Sequence, residues 1–138
     1  VLASLTRLEF LDLSECGIGG TLPSTIGDLT KLEFLDIQKN GFNGKIPSEF
    51  GLLTSLTELY FSRNELNGTF FEFITDLDAL EILEGSHNKL AGPLPSTLAN
   101  LTGLTRFFMP ANSFTGSIPT EIGLMTNLFD FSVRVNYM

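Results

Sequence analysis

Acidic and aromatic residues recur at a fixed step of 24 residues near the start of this sequence, and both types could contact a ligand. Asp12 and Asp36 stand one step apart, as do Phe10 and Phe34. If that step brings residues side by side, the paired carboxylates repel each other and favour a cationic group between them, while exposed aromatic rings make good interface anchors. No Asp/Asn loop encloses the carboxylates, so we predict no metal site. The alternative to a cationic ligand group between the carboxylates is that water simply solvates them.

Residues suited to catalysis are scarce. His87 is the only histidine, and serine-containing strings such as PSTIG recur with a repeat instead of forming the strand–turn–helix of a nucleophile elbow. The sequence therefore predicts no catalytic residue, no cofactor and no enzyme activity in this chain. A kinase domain elsewhere in a full-length protein is compatible with that prediction.

The composition argues against two classes of partner. The chain has 138 residues, of which 16 are acidic and 8 basic, so its net charge is −8. Binding to nucleic acid or to an anionic membrane surface needs a basic face, so both are disfavoured. No apolar run approaches the roughly 20 residues of a membrane span, and a single cysteine does not reveal the redox compartment.

A repeat of 24 residues runs through the whole sequence. The string GTLPSTIGDLTKL begins at Gly20, and GKIPSEFGLLTSL follows at Gly44 with no insertion. Apolar residues keep the same step in several columns, which indicates a repeat protein. A polar column, the predicted structural asparagine ladder, consists of Cys16, Asn40, Asn64, Asn88, Asn112 and Asn136.

Each repeat encodes a strand, a turn and a short helical turn. In LEFLDLSEC, Leu11 and Leu13 alternate with other residues, which predicts a short strand with one buried face. The asparagine after the strand can satisfy backbone groups of its own and the neighbouring repeat. The Ile-Pro pair then ends a short extended segment, and SEFGLL predicts one helical or 3-10 turn that places Phe50 and Leu53 in the core.

The consensus L-x-x-L-x-L-x-x-N-x-L-x-G-x-I-P resembles the plant-type leucine-rich repeat over the whole chain. That family resembles the ectodomains of receptor-like kinases and receptor-like proteins, and the polygalacturonase-inhibiting proteins. The resemblance implies an α/β solenoid. Its features would be a right-handed superhelix, a parallel concave β-sheet, 24-residue repeats, and short 3-10 or helical turns on the convex side.

Three features depart from the family pattern. Cysteine-bearing caps are missing and the pattern is cut at both ends, so we expect residues 1–138 to be a single array of about six repeats, an uncapped internal piece of a longer one. Phe70-Phe71 replaces Ile-Pro in the third repeat. Gly85 and Pro110 fall within predicted strands, and Gly85 predicts a gap in the core that a larger side chain would fill with a gain in stability.

The concave sheet is the expected binding face, because its side chains project from rigid positions. The resemblance implies a protein- or peptide-recognition module of an extracellular, receptor-like protein, with a peptide or protein ligand and a co-receptor as a further partner. A secreted inhibitor of a cell-wall hydrolase and an ice-binding or structural array are the alternatives. The predicted ligand-binding residues are Phe10, Asp12, Phe34, Asp36, Tyr60, Arg63, Glu84, Arg106 and Phe108.

Two Asn-x-Thr strings, at Asn67 and Asn100, have the form of glycosylation acceptors. Asn100 falls on the predicted convex turn, where a glycan would leave the concave face open. Since Asn and Thr also occur there by repeat consensus, an unmodified site is the alternative. The expected location is extracellular or at the cell surface, either as the ectodomain of a membrane protein or as a secreted glycoprotein.

Overall fold

The structure, a computed structural model, describes residues 4–69 and 74–138. Within these residues the backbone forms eleven short strands. The strands are β1 (Phe10–Asp12), β2 (Gly19–Thr21), β3 (Phe34–Asp36), β4 (Gly41–Lys45), β5 (Glu58–Tyr60), β6 (Glu65–Gly68), β7 (Ile82–Glu84), β8 (Lys89–Pro93), β9 (Arg106–Phe108), β10 (Ser113–Thr115) and β11 (Asp130–Ser132).

The strands of the described residues form two parallel sheets. The odd-numbered strands stack in chain order from β1 to β11 as the concave sheet, and the even-numbered strands stack as a second, flanking sheet. In the concave sheet every partner lies one repeat away, as Leu35 lies between Leu11 and Leu59. The predicted parallel concave sheet is confirmed. The extended segment before Ile-Pro is a strand of the flanking sheet.

A 3-10 turn follows the flanking strand of each repeat, on the convex side. Pro47 precedes one turn in an extended conformation, with φ −62° and ψ 143°, and the Leu53 amide donates to the Phe50 carbonyl at its end. Proline ends the strand because it cannot donate to a sheet. The described residues contain no helix long and apolar enough to cross a membrane. The turns span Ser24–Asp28, Ser48–Leu52, Ile74–Asp76, Ser96–Asn100 and Thr120–Leu124.

A continuous core lies between the sheets and the 3-10 turns. Leu32 and Leu56, one repeat apart, are fully buried. Phe50 and Leu53 are also buried, whereas Leu52 between them is 56% exposed. A single helical turn is unstable in isolation, so its packing on the core and on neighbouring turns stabilises it.

Two of the predicted departures concern strand positions. Gly85 and Pro110 were predicted to lie within strands, but both lie outside them, because β7 ends at Glu84 and β9 ends at Phe108. Backbone pairing nevertheless continues past the strand end, since the Gly85 amide donates to the Phe108 carbonyl at 2.9 Å. The Phe70-Phe71 pair lies outside the described residues.

The predicted gap at Gly85 does not exist. A Cβ atom on Gly85 would lie 2.0 Å from the Phe61 ring and 2.9 Å from the Met109 sulfur. Phe61 is 1% exposed and occupies the same column in the preceding repeat, where its ring fills the volume that Gly85 leaves. The expectation that a larger residue at position 85 would stabilise the fold is therefore wrong.

Candidate functional site

Two columns of side chains cross the concave sheet, at the first and third position of each strand. The first column begins with Phe10 beside Phe34, and the third-position column begins with Asp12 beside Asp36 and then Tyr60. Of the predicted binding residues only Arg63 lies outside these columns. We call the predicted set the concave strip: Phe10, Asp12, Phe34, Asp36, Tyr60, Arg63, Glu84, Arg106 and Phe108.

An aromatic stack occupies β1, β3 and β5. The rings of Phe10 and Phe34 are 4.2 Å apart between centroids with 8° between their planes, and those of Phe34 and Tyr60 are 5.6 Å apart at 44°. Stacking of this kind stabilises a pair of rings beyond the burial of their area. Phe10 is still 60% exposed, so the stack offers an apolar surface to solvent.

Two carboxylates lie beside this stack. Asp12 and Asp36 are direct partners in the sheet register. Asp12 accepts hydrogen bonds from the hydroxyl and amide of Ser14 at 2.7 and 2.8 Å, and these lower the pKa of Asp12. Asp36 accepts from the backbone and side-chain amides of Gln38. Among residues 4–69 and 74–138, no three His, Cys, Asp or Glu side chains cluster as metal ligands.

Tyr60 lies at the middle of the strip and is tied to Glu58. The Tyr60 hydroxyl donates to Glu58 Oε2 at 2.7 Å. Burial raises the pKa of Tyr60, and the Glu58 carboxylate raises it further, so the phenol remains a hydrogen-bond donor at physiological pH. Sequence reasoning left Glu58 out of the predicted site. The signal was available, because residues two apart on a strand share a face.

An ion-paired cluster occupies the strip on β7, β9 and β11. Arg106 Nε lies 3.0 Å from Glu84 Oε1 and 3.0 Å from Asp130 Oδ2, and its guanidinium carbon lies 5.2 Å from the centroid of the Phe108 ring. The Nε hydrogen points at neither oxygen with hydrogen-bond geometry, so both contacts are ionic. Sequence reasoning missed Asp130, although it stands one 24-residue step after Arg106.

Burial favours the neutral form of Glu84, one of the carboxyl groups of this cluster. It raises the pKa of Glu84, the neighbouring carboxylates Asp130 and Asp36 raise it further, and Arg106 opposes the shift. Arg106 therefore offsets two carboxylates that would otherwise repel each other. The Arg106 guanidinium is already ion-paired within the protein, so it is less available to a ligand than the sequence predicts.

Arg63 lies in the turn after β5. Its φ of 59° is in the left-handed region, as is the φ of 55° at His87 one repeat later. The Arg63 side chain is exposed and lines a hollow at the edge of the concave sheet together with His87 and Phe108. The strip is thus divided into an aromatic and acidic part on β1 to β5 and an ion-paired part on β7 to β11, with Arg63 beside the hollow.

The asparagine ladder links successive repeats. Asn64 donates from Nδ2 to the carbonyl of Ile37 in the preceding repeat at 2.9 Å and to Phe61 in its own repeat at 3.1 Å. Its Oδ1 accepts from the Phe42 amide at 3.1 Å. Equivalent bonds to the preceding repeat occur at Asn40, Asn88, Asn112 and Asn136. Cys16 differs, because its thiol donates to the Ser14 carbonyl of its own repeat, at 3.4 Å.

Three stretches of 23 residues match the family model described as Leucine Rich Repeat: residues 7–29, 31–53 and 55–77. Together they make up half of the chain. The chain belongs to the leucine-rich repeat family. The Ile-Pro position and the 24-residue step of this leucine-rich repeat array are those of the plant type, as predicted.

Solved plant receptor ectodomains resemble the array. The ectodomain of the Arabidopsis thaliana membrane receptor kinase GASSHO1/SCHENGEN3, in complex with CASPARIAN STRIP INTEGRITY FACTOR 2, is 32% identical with a TM-score of 0.95, over 98% of this chain and 16% of that one. The Arabidopsis receptor kinase HAESA, in complex with the peptide hormone IDA and the co-receptor SERK1, is 33% identical with a TM-score of 0.93, over 97% of this chain and 22% of that one. The plant peptide hormone receptor RGFR1, in complex with RGF2, is 32% identical with a TM-score of 0.90, over 98% and 22%.

The leucine-rich repeat array thus spans between 16% and 22% of the length of these three receptors. No curated protein matches it significantly by sequence. The matched structures are ligand-binding ectodomains, and GASSHO1/SCHENGEN3 is a membrane receptor. They agree with the predicted extracellular or cell-surface location.

Both candidate glycosylation sites of the array are exposed. Asn67 lies in β6 of the flanking sheet, and Asn100 ends the 3-10 turn Ser96–Asn100. Neither belongs to the concave sheet, so a glycan on either would leave the concave strip uncovered. Their modification stays a prediction.

Proposed function

We propose that this chain is the peptide- or protein-recognition module of an extracellular, receptor-like leucine-rich repeat protein, and that its ligand lies along the concave strip. The observation that carries the proposal is the stack of Phe10, Phe34 and Tyr60 on the concave sheet, with Phe10 60% exposed. Large apolar side chains held on a rigid sheet lose little conformational freedom on binding, and aromatic residues dominate interface energies.

The relatives support the class of ligand. HAESA binds a peptide hormone together with a co-receptor, and RGFR1 is a peptide hormone receptor in complex with RGF2. A stretch of either receptor superposes on nearly the whole of this chain. The proposed partners are accordingly a peptide or protein ligand and a co-receptor, with no catalytic role for the array itself.

The chemistry of the strip disfavours the structural alternative. An ice-binding array would carry regular rows of one small polar residue, such as threonine. From Asp36 onward, the third-position column instead changes at every step, from carboxylate to phenol to carboxylate to phenyl, along Asp36, Tyr60, Glu84 and Phe108. Such variation fits a ligand whose side chains differ along its length.

A displayed library of random peptides, panned on the full chain, tests the proposal without knowledge of the natural ligand. Peptides should be enriched on the unaltered protein and lost when the same pool is exposed to a Phe34→Ala/Tyr60→Ala variant that circular dichroism shows to be folded. A matched control is Glu49→Ala, on a convex 3-10 turn, which should retain the enriched peptides. If no peptide is enriched, or if the aromatic variant keeps them all, the strip is not the recognition surface.

A further inference from the structure

A hollow of about 360 Å³ opens at the edge of the concave sheet, where the chain turns after the strands. Arg63 and His87 line it from the third and fourth repeats, and Arg134 lines it from the sixth. Between them the fifth repeat contributes Phe108 from its strand and, after the strand, the small side chains of Pro110 and Ala111. These two small side chains leave space between larger flanking ones, and a pocket of this size can hold a ligand group.

The ionisable side chains that line the hollow are all basic. Arg63, His87 and Arg134 form no ion pair within residues 4–69 and 74–138, and no carboxylate lines the hollow. The ion pairs that other basic residues form are Lys39 with Glu15, Lys89 with Glu65, and Arg106 with both Glu84 and Asp130.

This basic hollow stands out in a chain of net charge −8. Salt screens distant surface charges within about 8 Å at physiological ionic strength, so local groups decide what binds. The carboxylates on the neighbouring strands, Glu84 and Asp130, are already held by Arg106. The hydroxyls of Ser86 and Ser132 also line the hollow and add hydrogen-bond donors.

We infer that the hollow binds an acidic segment of the peptide ligand, with carboxylates on at least two of its side chains; this rests on the proposed function. Arg63 and Arg134 stand three repeats apart, or about 14 Å at a strand spacing of about 4.8 Å. One carboxylate is too small to occupy both ends, whereas carboxylates spaced along a chain can reach both. Each guanidinium can take a carboxylate with two parallel hydrogen bonds, and Phe108 and Pro110 give the segment an apolar wall.

The test uses N-acetylated, C-amidated triglutamate as the probe and the full chain as the receptor. His87 is the only histidine, so its ring protons give an unambiguous NMR signal inside the hollow. At constant ionic strength the signal should shift saturably with triglutamate and hardly at all with the matched triglutamine. Arg63→Gln and Arg134→Gln should each weaken binding by about fivefold or more. Lys89→Gln, which removes a positive charge from the flanking sheet, should leave binding unchanged.

Three results would overturn the inference. The first is that triglutamate shifts the His87 signal no more than triglutamine does, and the second is that the two arginine variants bind triglutamate as tightly as the unaltered chain. The third is that sulfate binds as tightly as triglutamate, which would mean that small anions alone occupy the hollow.

The same reagents separate this inference from the proposed function. The Phe34→Ala/Tyr60→Ala variant should still bind triglutamate, because those rings lie outside the hollow. If library peptides bind the Arg63→Gln and Arg134→Gln variants as tightly as they bind the unaltered chain, the hollow is not part of the site although the recognition function stands. If triglutamate binds but no library peptide is enriched, the hollow is supported as a site for acidic groups, and the aromatic stack is not supported as a recognition surface.

Discussion

At the scale of single residues, Phe61 and Gly85 form a compensating pair. Other repeats place a residue such as Ile37 or Met109 in this column, whereas here the largest and the smallest side chains stand one repeat apart. The Phe61 ring is 1% exposed and lies where a Cβ of Gly85 would be. The pair therefore conserves volume across two repeats, although neither residue is typical of its position.

We predict that Gly85→Ala destabilises the fold by about 1–3 kcal/mol, because the added methyl overlaps the Phe61 ring and close-packed cores do not yield easily. Phe61→Leu made in the same chain should recover part of the loss, since it reopens the space. Urea denaturation of the two single variants and the double variant measures the coupling. Strictly additive losses would show that the two residues do not share the space.

The ladder residue Asn64 carries the second residue-scale prediction. Its side chain is buried and satisfies two carbonyls and one amide. Asn64→Ala should cost about 2–3 kcal/mol, because those buried backbone groups lose their partners. Cys16→Ala at the equivalent position is the control. It should change stability by less than about 0.5 kcal/mol, since Cys16 is exposed. Equal losses in denaturation experiments would rule out the ladder as the cause.

Glu84 should make stability depend on pH. Its folded pKa is raised above the ordinary value of 4.5, chiefly by burial. The folded state therefore binds this proton more tightly than the unfolded chain, so the stabilisation is complete below about pH 4.5 and is lost as pH rises through the folded pKa. Relative to the unaltered chain, Glu84→Gln should gain stability in urea titrations as the pH rises above about 4.5.

Asp12→Asn provides a control of opposite sign for that titration. Hydrogen bonds from Ser14 lower the pKa of Asp12 in the folded state. The contribution of Asp12 to stability is therefore present above the pKa that it has in the unfolded chain, and it is lost as the pH falls through the folded pKa. Asp12→Asn should therefore differ most from the unaltered chain near neutral pH, with a loss of stability there. If Glu84→Gln shows the same pH dependence of stability as Asp12→Asn, burial does not govern the pKa of Glu84.

At the scale of the elements, the close approach of the 3-10 turns Ser24–Asp28 and Ser48–Leu52 depends on glycine. A Cβ on Gly27 would lie 2.6 Å from the Glu49 carbonyl oxygen in the next turn, whereas a Cβ on Gly123, at the same repeat position, would meet nothing within 4 Å. Gly27→Ala should thus destabilise by about 1–3 kcal/mol, because a backbone atom cannot move aside as a side chain can. Gly123→Ala should be neutral or stabilising by up to about 1 kcal/mol. Denaturation midpoints that shift equally for both would contradict this account of turn stacking.

The strands and turns were predictable from the sequence because every repeat carries the same residue pattern. Period-2 alternation, the asparagine and the Ile-Pro pair recur at the same step, so one irregular repeat does not obscure the strand, the ladder or the 3-10 turn. The Gly85 gap was predicted wrongly for a related reason. Reading each column position by itself ignores that a large side chain from the preceding repeat can occupy a neighbour's space.

The candidate site was predictable only in part. The 24-residue step correctly placed Phe10 beside Phe34 and Asp12 beside Asp36. The same step puts Asp130 beside Arg106, but which carboxylates Arg106 contacts depends on rotamers as well as on register. The hollow was missed because it arises where small residues of one repeat lie between large residues of others, and each position was considered by itself. That the strip binds a ligand stays a prediction.

At the scale of the whole molecule, the two ends of the concave face carry different types of side chain. The aromatic stack and the opposed carboxylates Asp12 and Asp36 lie on its first strands, and the basic hollow with Arg63 and Arg134 lies towards its last. An extended ligand could contact both only by crossing the strands. The aromatic positions should supply most of the affinity, while exposed carboxylates act more on association rate and salt dependence.

The most direct test of the central claim, that the ligand lies on the concave strip, is calorimetric titration of a library-selected peptide against matched alanine variants. Tyr60→Ala and Phe108→Ala should each weaken binding by about 1–3 kcal/mol with little change in the melting temperature. Glu49→Ala and Thr97→Ala, on convex turns, should leave the affinity unchanged. Loss of binding in the convex variants, with the concave variants binding as the unaltered chain does, would contradict the account.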